Sequence, residues 1–267
     1  FLIQSGDNMI VGVTTGTAAL GLYDRSYRLV VQPLGQLVAP IGRVAVPLLA
    51  RLVGRPEVYA RTYLDLFRAL ALLTMPLMLV CIVNADGVIA VLFGPRWAAA
   101  APVFAWVCVG GLTSAVYGSI AWLFISQART HEMMRMNLVV MVISFVSFFI
   151  GSRWGVVGIA AAGALGFVLL STPLNFRAVT RAGPIGGRDV AFAAAPLAIQ
   201  TVIAGLLLVM QRKTGWTGPV QLLAALGLAY ATFALSALLV PGQRKIIDHL
   251  LEIARMARGI AKSDSSI

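Results

Sequence analysis

The sequence predicts an all-α, polytopic membrane protein with about eight transmembrane helices. Three observations carry this: 59% of the residues are hydrophobic and 12% charged, mean hydropathy is +0.88, and the apolar residues fall into long blocks. Soluble domains carry about 25% charged residues, and a chain this apolar could not keep a surface that water accepts. Several blocks exceed the ~18–20 residues that cross a bilayer as helix.

The first expected span runs from Phe1 to about Ala19 and is unusually polar, with Gln4, Asp7, Asn8, Thr14 and Thr15. A short turn centred near Asp24, with Arg25 and Arg28, should close a hairpin onto the second span. That span, about Ser26 to Ala50, carries Pro33, Pro40 and Pro47, with Arg43 near its middle. A polar linker from Arg51 to Tyr63 leads to the third span, about Leu64 to Asn84. Gly94-Pro95-Arg96-Trp97 reads as a turn whose tryptophan suits the membrane interface. The fourth span follows, about Ala98 to Phe124, and the fifth runs from about Met134 to Ile150. A tight turn at Gly151–Gly155 leads into the sixth, about Val156 to Phe176. Spans seven (about Val190 to Met210) and eight (about Pro219 to Val240) complete a membrane unit of residues 1–240. In the polar tail, 241–267, Ile246, Leu250, Ile253, Ala257 and Ile260 recur at helical spacing among charges. Such a basic amphipathic helix suits either an anionic inner leaflet or the protein's own cytoplasmic loops.

The net charge is +11. Its cations lie between apolar blocks, not on a soluble face with aromatic platforms, which argues against a nucleic-acid partner. Linkers that alternate on one side hold fourteen of them: Arg51, Arg55, Arg61, Arg68, Arg129, Arg135, Arg177, Arg181, Arg188, Arg244, Lys245, Arg255, Arg258 and Lys262. The other side holds six: Arg25, Arg28, Arg96, Arg153, Arg212 and Lys213. By the positive-inside rule the richer side, with the tail, faces the cytoplasm. The opening at Phe1 has no basic segment or cleavage site of a signal peptide, and a chain that enters directly into a span reads as a piece of something longer.

No CxxC, HExxH, Walker A or GxSxG pattern occurs. His131 and His249 lie in polar segments without an acidic residue five positions on, and Cys81 and Cys108 sit in apolar blocks as small hydrophobes. The sequence therefore points to no catalytic residue, metal or cofactor. The informative residues are ionisable groups at membrane depth, where a charge costs at least ~2.5–3.5 kcal/mol unless it meets a partner or a wet cavity. The candidate substrate- or ion-binding residues are Arg43, Arg25, Arg28, Asp7, Asn8 and Asp24. Counted from a turn at Asp24, Asp7 and Arg43 come to similar depth. They read either as a lining for an anionic headgroup or coupling ion, or as one buried pair that holds the hairpin. Pro33, Pro40 and Pro47, seven apart, stack on nearly one face and invite bends, in a cavity-lining helix or in a static one. Gly12–Gly16 and the Gly/Ala-rich segment Gly155–Gly166 allow close helix contact.

Ser5-Gly-Asp-Asn-Met-Ile-Val-Gly12, followed by Ala19-Leu-Gly-Leu-Tyr-Asp-Arg-Ser-Tyr-Arg-Leu29, resembles the opening of the second half of the polysaccharide flippases in the multidrug/oligosaccharidyl-lipid/polysaccharide (MOP) exporter superfamily. That pattern is D-N-x-x-[IV]-G and then L-G-x-Y-x-R-A-Y-x-L, with Ser26 here for the usual alanine. Val46-Pro-Leu-Leu-Ala-Arg51 and Leu92-Phe-Gly-Pro-Arg-Trp97 continue the likeness, in order, over about residues 5 to 180. The resemblance implies one lobe, the C-terminal, of a two-lobe transporter in the bacterial plasma membrane. Such a transporter moves undecaprenyl-pyrophosphate-linked sugar units between leaflets through a central cationic cavity. It also implies the N-terminal lobe of a parent protein as partner, and leaves room for contact with the polysaccharide biosynthesis machinery. Of the candidates, Arg25 matches the family pattern, whereas Arg43 rests on membrane depth alone. An exporter of another lipid or a drug in the same superfamily, or an integral-membrane glycosyl- or acyltransferase, is the alternative.

Overall fold

The computed structural model describes residues 10–181, 183–213 and 218–239. Among them the chain is helical throughout: α1 (10–15), α2 (Thr17–Leu52), α3 (Pro56–Val83), α4 (Ala85–Phe93), α5 (Ala101–Ser126), α6 (Thr130–Gly151), α7 (Gly155–Gly166), α8 (Thr172–Thr180), α9 (Gly187–Arg212) and α10 (Gly218–Leu239). Six stretches are long and apolar enough to cross a membrane. One of them, Thr130–Thr180, is 51 residues long and doubles back at Ser152–Trp154, so it supplies two passes. Seven expected spans thus have a helical counterpart among the described residues; most of the first, with Asp7 and Asn8, lies outside them, as does the 241–267 tail.

Helix α5 sits at the centre, apolar on all sides as a surrounded helix must be. Its small residues admit close neighbours. A methyl group at Gly42 of α2 would stand 2.9 Å from the Trp122 indole nitrogen, and one at Gly111 would stand 2.7 Å from the Met78 sulfur. Helices α2, α3, α7 and α8 surround α5, while the α9–α10 hairpin packs on the far side of α3. The Gly/Ala-rich α7 lies directly on α6, where Gly158 meets the Gly151 carbonyl, Gly163 the Phe148 ring and Gly166 the Ser147 hydroxyl. This is the close contact the glycine spacing foretells. Between α7 and α8 the helix widens to a π turn at Phe167–Ser171. Pro173 there lacks the N–H that would bond the Leu169 carbonyl, and the backbone N–H and hydroxyl of Thr172 both donate to the Phe167 carbonyl, the hydroxyl at 2.9 Å.

Polar residues gather at the two ends. At one, Tyr59 and Ser126 share a hydrogen bond of 2.7 Å and the Gln127 amide donates to Tyr59 at 3.0 Å. Arg129 donates to the carbonyls of Val179 (3.0 Å) and Ala178 (3.2 Å), which lack helical partners at the end of α8, while Glu132 and the Gln127 side-chain oxygen (3.1 Å) take its remaining donors. At the other end Arg212 bonds the Val83 carbonyl at 2.7 Å and pairs with Asp86, and Gln221 reaches Asn84 at 3.2 Å. These contacts agree with the expected alternation of linkers between two sides.

Two expectations are corrected. The chain does not turn at Asp24: α2 runs unbroken from Thr17 to Leu52, and the break lies at Gly16, whose φ of +86° favours glycine. Gly12 faces Leu20 across that break, and Val11 packs in one cluster with Tyr23. The shared depth of Asp7 and Arg43, counted from a turn at Asp24, therefore loses its premise. Arg25 and Arg28 therefore belong to a helix and not to a linker. The linker expected over Arg51–Tyr63 is mostly the start of α3, with Pro56 at the first helical position where its missing N–H costs nothing. The segment before Trp97 is the short helix α4, which ends at Gly94 (φ +82°) as the turn motif requires.

Candidate functional site: the outward face of α2

Helix α2 has 36 residues, about 54 Å at 1.5 Å per residue, against a hydrocarbon layer of about 30 Å. Its buried residues, Tyr23, Ser26, Val30, Leu34, Ala45 and Leu49, lie to one side and hold it against α5. Opposite them Arg25, Gln32, Gln36 and Arg43 are exposed. At 3.6 residues per turn these four fall within about 40° of one another. Among the described residues none of the four makes a hydrogen bond or ion pair. The exposed Pro33, Pro40 and Pro47 form a second stripe beside them, so the prolines share a face, as their spacing predicts.

Contacts with α5 fix the depths. Val30 lies near Gly111, Val38 near Gly118 and Gly42 near Trp122, so the two helices run parallel. Arg43 thus sits about one turn inside the end of α5 at Ser126, closer to the end that carries Arg51 and Arg129 than to the middle. Arg25 lies toward the opposite end. Gln32 and Gln36 take the middle of the span.

Arg28, 60% exposed, donates from Nε to Asp24 at 2.9 Å, one turn away. An exposed pair of this kind contributes about 0.3–0.5 kcal/mol, so it shapes the local charge more than the stability. The structure brings Arg25 and Arg43 onto one face, ties Asp24 to Arg28, and leaves Asp7 and Asn8 outside the described residues.

Behind α2, on its buried side, a cavity of ≈ 440 Å³ opens between α2, α5, α6 and α7. Tyr27, Leu34, Tyr117, Phe148 and Phe167 contribute to a mostly apolar lining without an ionised group, so it does not suit an anionic headgroup. Gln32 and Gln36 are the residues the sequence reading missed. Their four-residue spacing, in phase with Arg25 and Arg43, was a usable signal, hidden by the expectation that the chain turned at Asp24.

Residues 1–102 match a family described as "Polysaccharide biosynthesis protein". The teichuronic acid biosynthesis protein TuaB of Bacillus subtilis (strain 168) is 29% identical over 106 residues, 40% of this chain and 22% of that one. The lipopolysaccharide biosynthesis protein WzxC of Escherichia coli (strain K12) is 24% identical over 171 residues, 64% of this chain and 34% of that one. An uncharacterized membrane protein in the cps region of Klebsiella pneumoniae is 26% identical over 162 residues, 60% of this chain and 32% of that one. The chain thus spans about a third or less of the curated relatives it matches. Among solved structures, the lipid II flippase MurJ in its inward closed conformation superposes with a TM-score of 0.71 over 89% of this chain and 51% of that one, at 11% identity, which establishes a common fold.

Proposed function

We propose that the chain is of the polysaccharide and lipid-linked-oligosaccharide flippase family, a reading supported by the family match over residues 1–102, the similarity to TuaB and WzxC, and the fold shared with MurJ. Residues 1–240 form one transmembrane lobe, the C-terminal, of a transporter in the bacterial plasma membrane, and 241–267 form a basic tail on the cytoplasmic side. Together with an N-terminal lobe it moves undecaprenyl-pyrophosphate-linked oligosaccharide units from the inner to the outer leaflet for surface polysaccharide biosynthesis.

The observation that supports this reading is the outward face of α2. Two arginines without partners among the described residues flank two amides on one stripe of a membrane helix. A charge at mid-span costs ~2.5–3.5 kcal/mol and less toward the ends, but a continuous stripe of two arginines and two mid-span amides is matched to water or another protein surface and not to lipid chains. A water-filled space between two lobes provides that surroundings. Arginine suits the task because its planar fork binds phosphate oxygens in pairs and stays charged at every physiological pH. Arg43, near the cytoplasmic end, is placed to meet a pyrophosphate arriving from the inner leaflet, and Arg25 lies further along the same face. The polyprenyl tail stays in lipid. The work is transport: a headgroup changes sides, and no bond is made or broken.

The test is complementation. The full-length parent protein, expressed in a strain lacking its own repeat-unit flippase, should restore surface polysaccharide, and Arg43→Ala at equal membrane abundance should reduce the rescue at least about tenfold. Rescue that survives Arg43→Ala removes that arginine from the substrate path. Failure to rescue with several lipid-linked sugars, despite proper insertion, favours another exporter of the superfamily.

A further inference from the structure

Gln32 and Gln36 occupy the middle of α2's outward stripe, at the depth where the central helix α5 carries its small residues Gly111 and Gly118. Both are exposed, and neither has a hydrogen-bond partner among the described residues. They stand one turn apart, about 6 Å along the axis, and each lies two turns, about 10 Å, from the nearer arginine of the stripe, Arg25 or Arg43. The stripe is therefore zoned: cation, amide, amide, cation.

An amide carries both a donor and an acceptor, as a hydroxyl does, and no net charge. A pyrophosphate offers acceptors only, so it calls for the arginines and leaves the carbonyl oxygens of the two amides unused. A sugar is the complementary case, a ring of hydroxyls that amides bond in either direction. Neutral contacts also suit the mid-depth of a transport path, since each is weak in water and is released as readily as it forms.

We propose that Gln32 and Gln36 form a carbohydrate subsite, which takes the hydroxyls of the sugar unit while the flanking arginines hold its anionic linker. The inference rests on the flippase reading and deepens it. It assigns the preference for a glycosylated over a bare lipid carrier to the two amides.

Binding to the purified full-length parent protein tests it with two probes. One is the host's own lipid-linked unit, extracted from cells in which the transporter is deleted; the other is undecaprenyl pyrophosphate without sugar. The native protein should bind the glycosylated probe at least about tenfold more tightly, the yield of one or two retained hydrogen bonds. Gln32→Leu/Gln36→Leu should lose that preference while its affinity for bare undecaprenyl pyrophosphate stays at the native value, which also reports that the protein is folded. Should the double variant lose both probes, Gln32→Ala and Gln36→Ala singly decide, each expected to narrow the preference without touching the bare lipid. A preference that persists in the variants overturns the subsite and leaves the flippase reading standing. A native protein that binds both probes equally also overturns it. A native protein that binds neither contradicts the flippase reading on which the subsite depends.

Discussion

Two exposed surfaces of this chain differ in kind. On α6 and α9 the large apolar residues Met134, Leu138, Val142, Phe149, Phe192, Ile199, Val202 and Leu206 point outward, each at least half exposed, and the exposed polar residues of α6 lie in its first turns, through Asn137. On α2 the outward stripe is Arg25, Gln32, Gln36 and Arg43. Both surfaces belong to helices long and apolar enough to cross a bilayer, so overall hydropathy does not separate them. The phase of the polar residues does. A helix whose apolar residues point outward is matched to lipid chains, where no hydrophobic gain is left to claim by packing elsewhere. A helix that turns arginine and glutamine outward needs water or protein there.

That contrast can be broken by exchange. Placing a charge on the lipid-matched surface should have the largest effect: Ile199→Arg, about midway along α9, should cost ~2.5–3.5 kcal/mol of insertion energy and lower membrane abundance sharply. Ala39→Arg on the outward side of α2 should insert at near-native level, as quantified by immunoblot of membrane fractions. Equal losses at the two positions would erase the distinction. Next in size is the tie at the Arg129 end. Arg129→Ala strands two α8 carbonyls and Glu132 and should destabilise the folded protein by about 2–3 kcal/mol, read as a lower unfolding midpoint in detergent. Arg43→Ala should leave that midpoint unchanged, because Arg43 makes no hydrogen bond or ion pair among the described residues, yet reduce the proposed transport by about 10–100-fold, the weight of a charge-assisted hydrogen bond. Smaller still, Gly42→Ala should cost about 1–2 kcal/mol by pushing on the buried Trp122 ring. Leu206→Ile, exposed on α9, should change stability by less than about 0.5 kcal/mol.

The helical, membrane-spanning class and most of the spans were legible because apolar blocks of bilayer length have few other uses. The glycines of α7 were legible for the same reason: Gly158, Gly163 and Gly166 recur where a neighbouring helix must come close. Hydropathy misplaced the first reversal. Asp24, Arg25 and Arg28 look like a loop to a window average, yet Arg28 pairs with Asp24 one turn back, a spacing that supports helix. Among the described residues the helix breaks instead at Gly16, a single residue with a positive φ and no charge to announce it. That misplacement carried into the site: Arg25 and Arg43 were picked out singly from their charge and depth, whereas the stripe that joins them through Gln32 and Gln36 requires one unbroken helix. The Arg129 tie escaped notice because its partners are backbone carbonyls about fifty residues away, which no side-chain pattern announces.

Thiol accessibility tests the contrast between these two surfaces most directly. In the protein with Cys81 and Cys108 replaced by alanine, single cysteines at positions 32, 36 and 43 on α2 and at 199, 202 and 206 on α9 would be exposed to a membrane-impermeant maleimide in sealed and in opened vesicles. The three α2 positions should label and the three α9 positions should not, with a lipid-soluble maleimide reaching all six. Labelling of the α9 positions by the impermeant reagent, or silence of all three α2 positions with it in vesicles of both kinds, would contradict an aqueous face on α2.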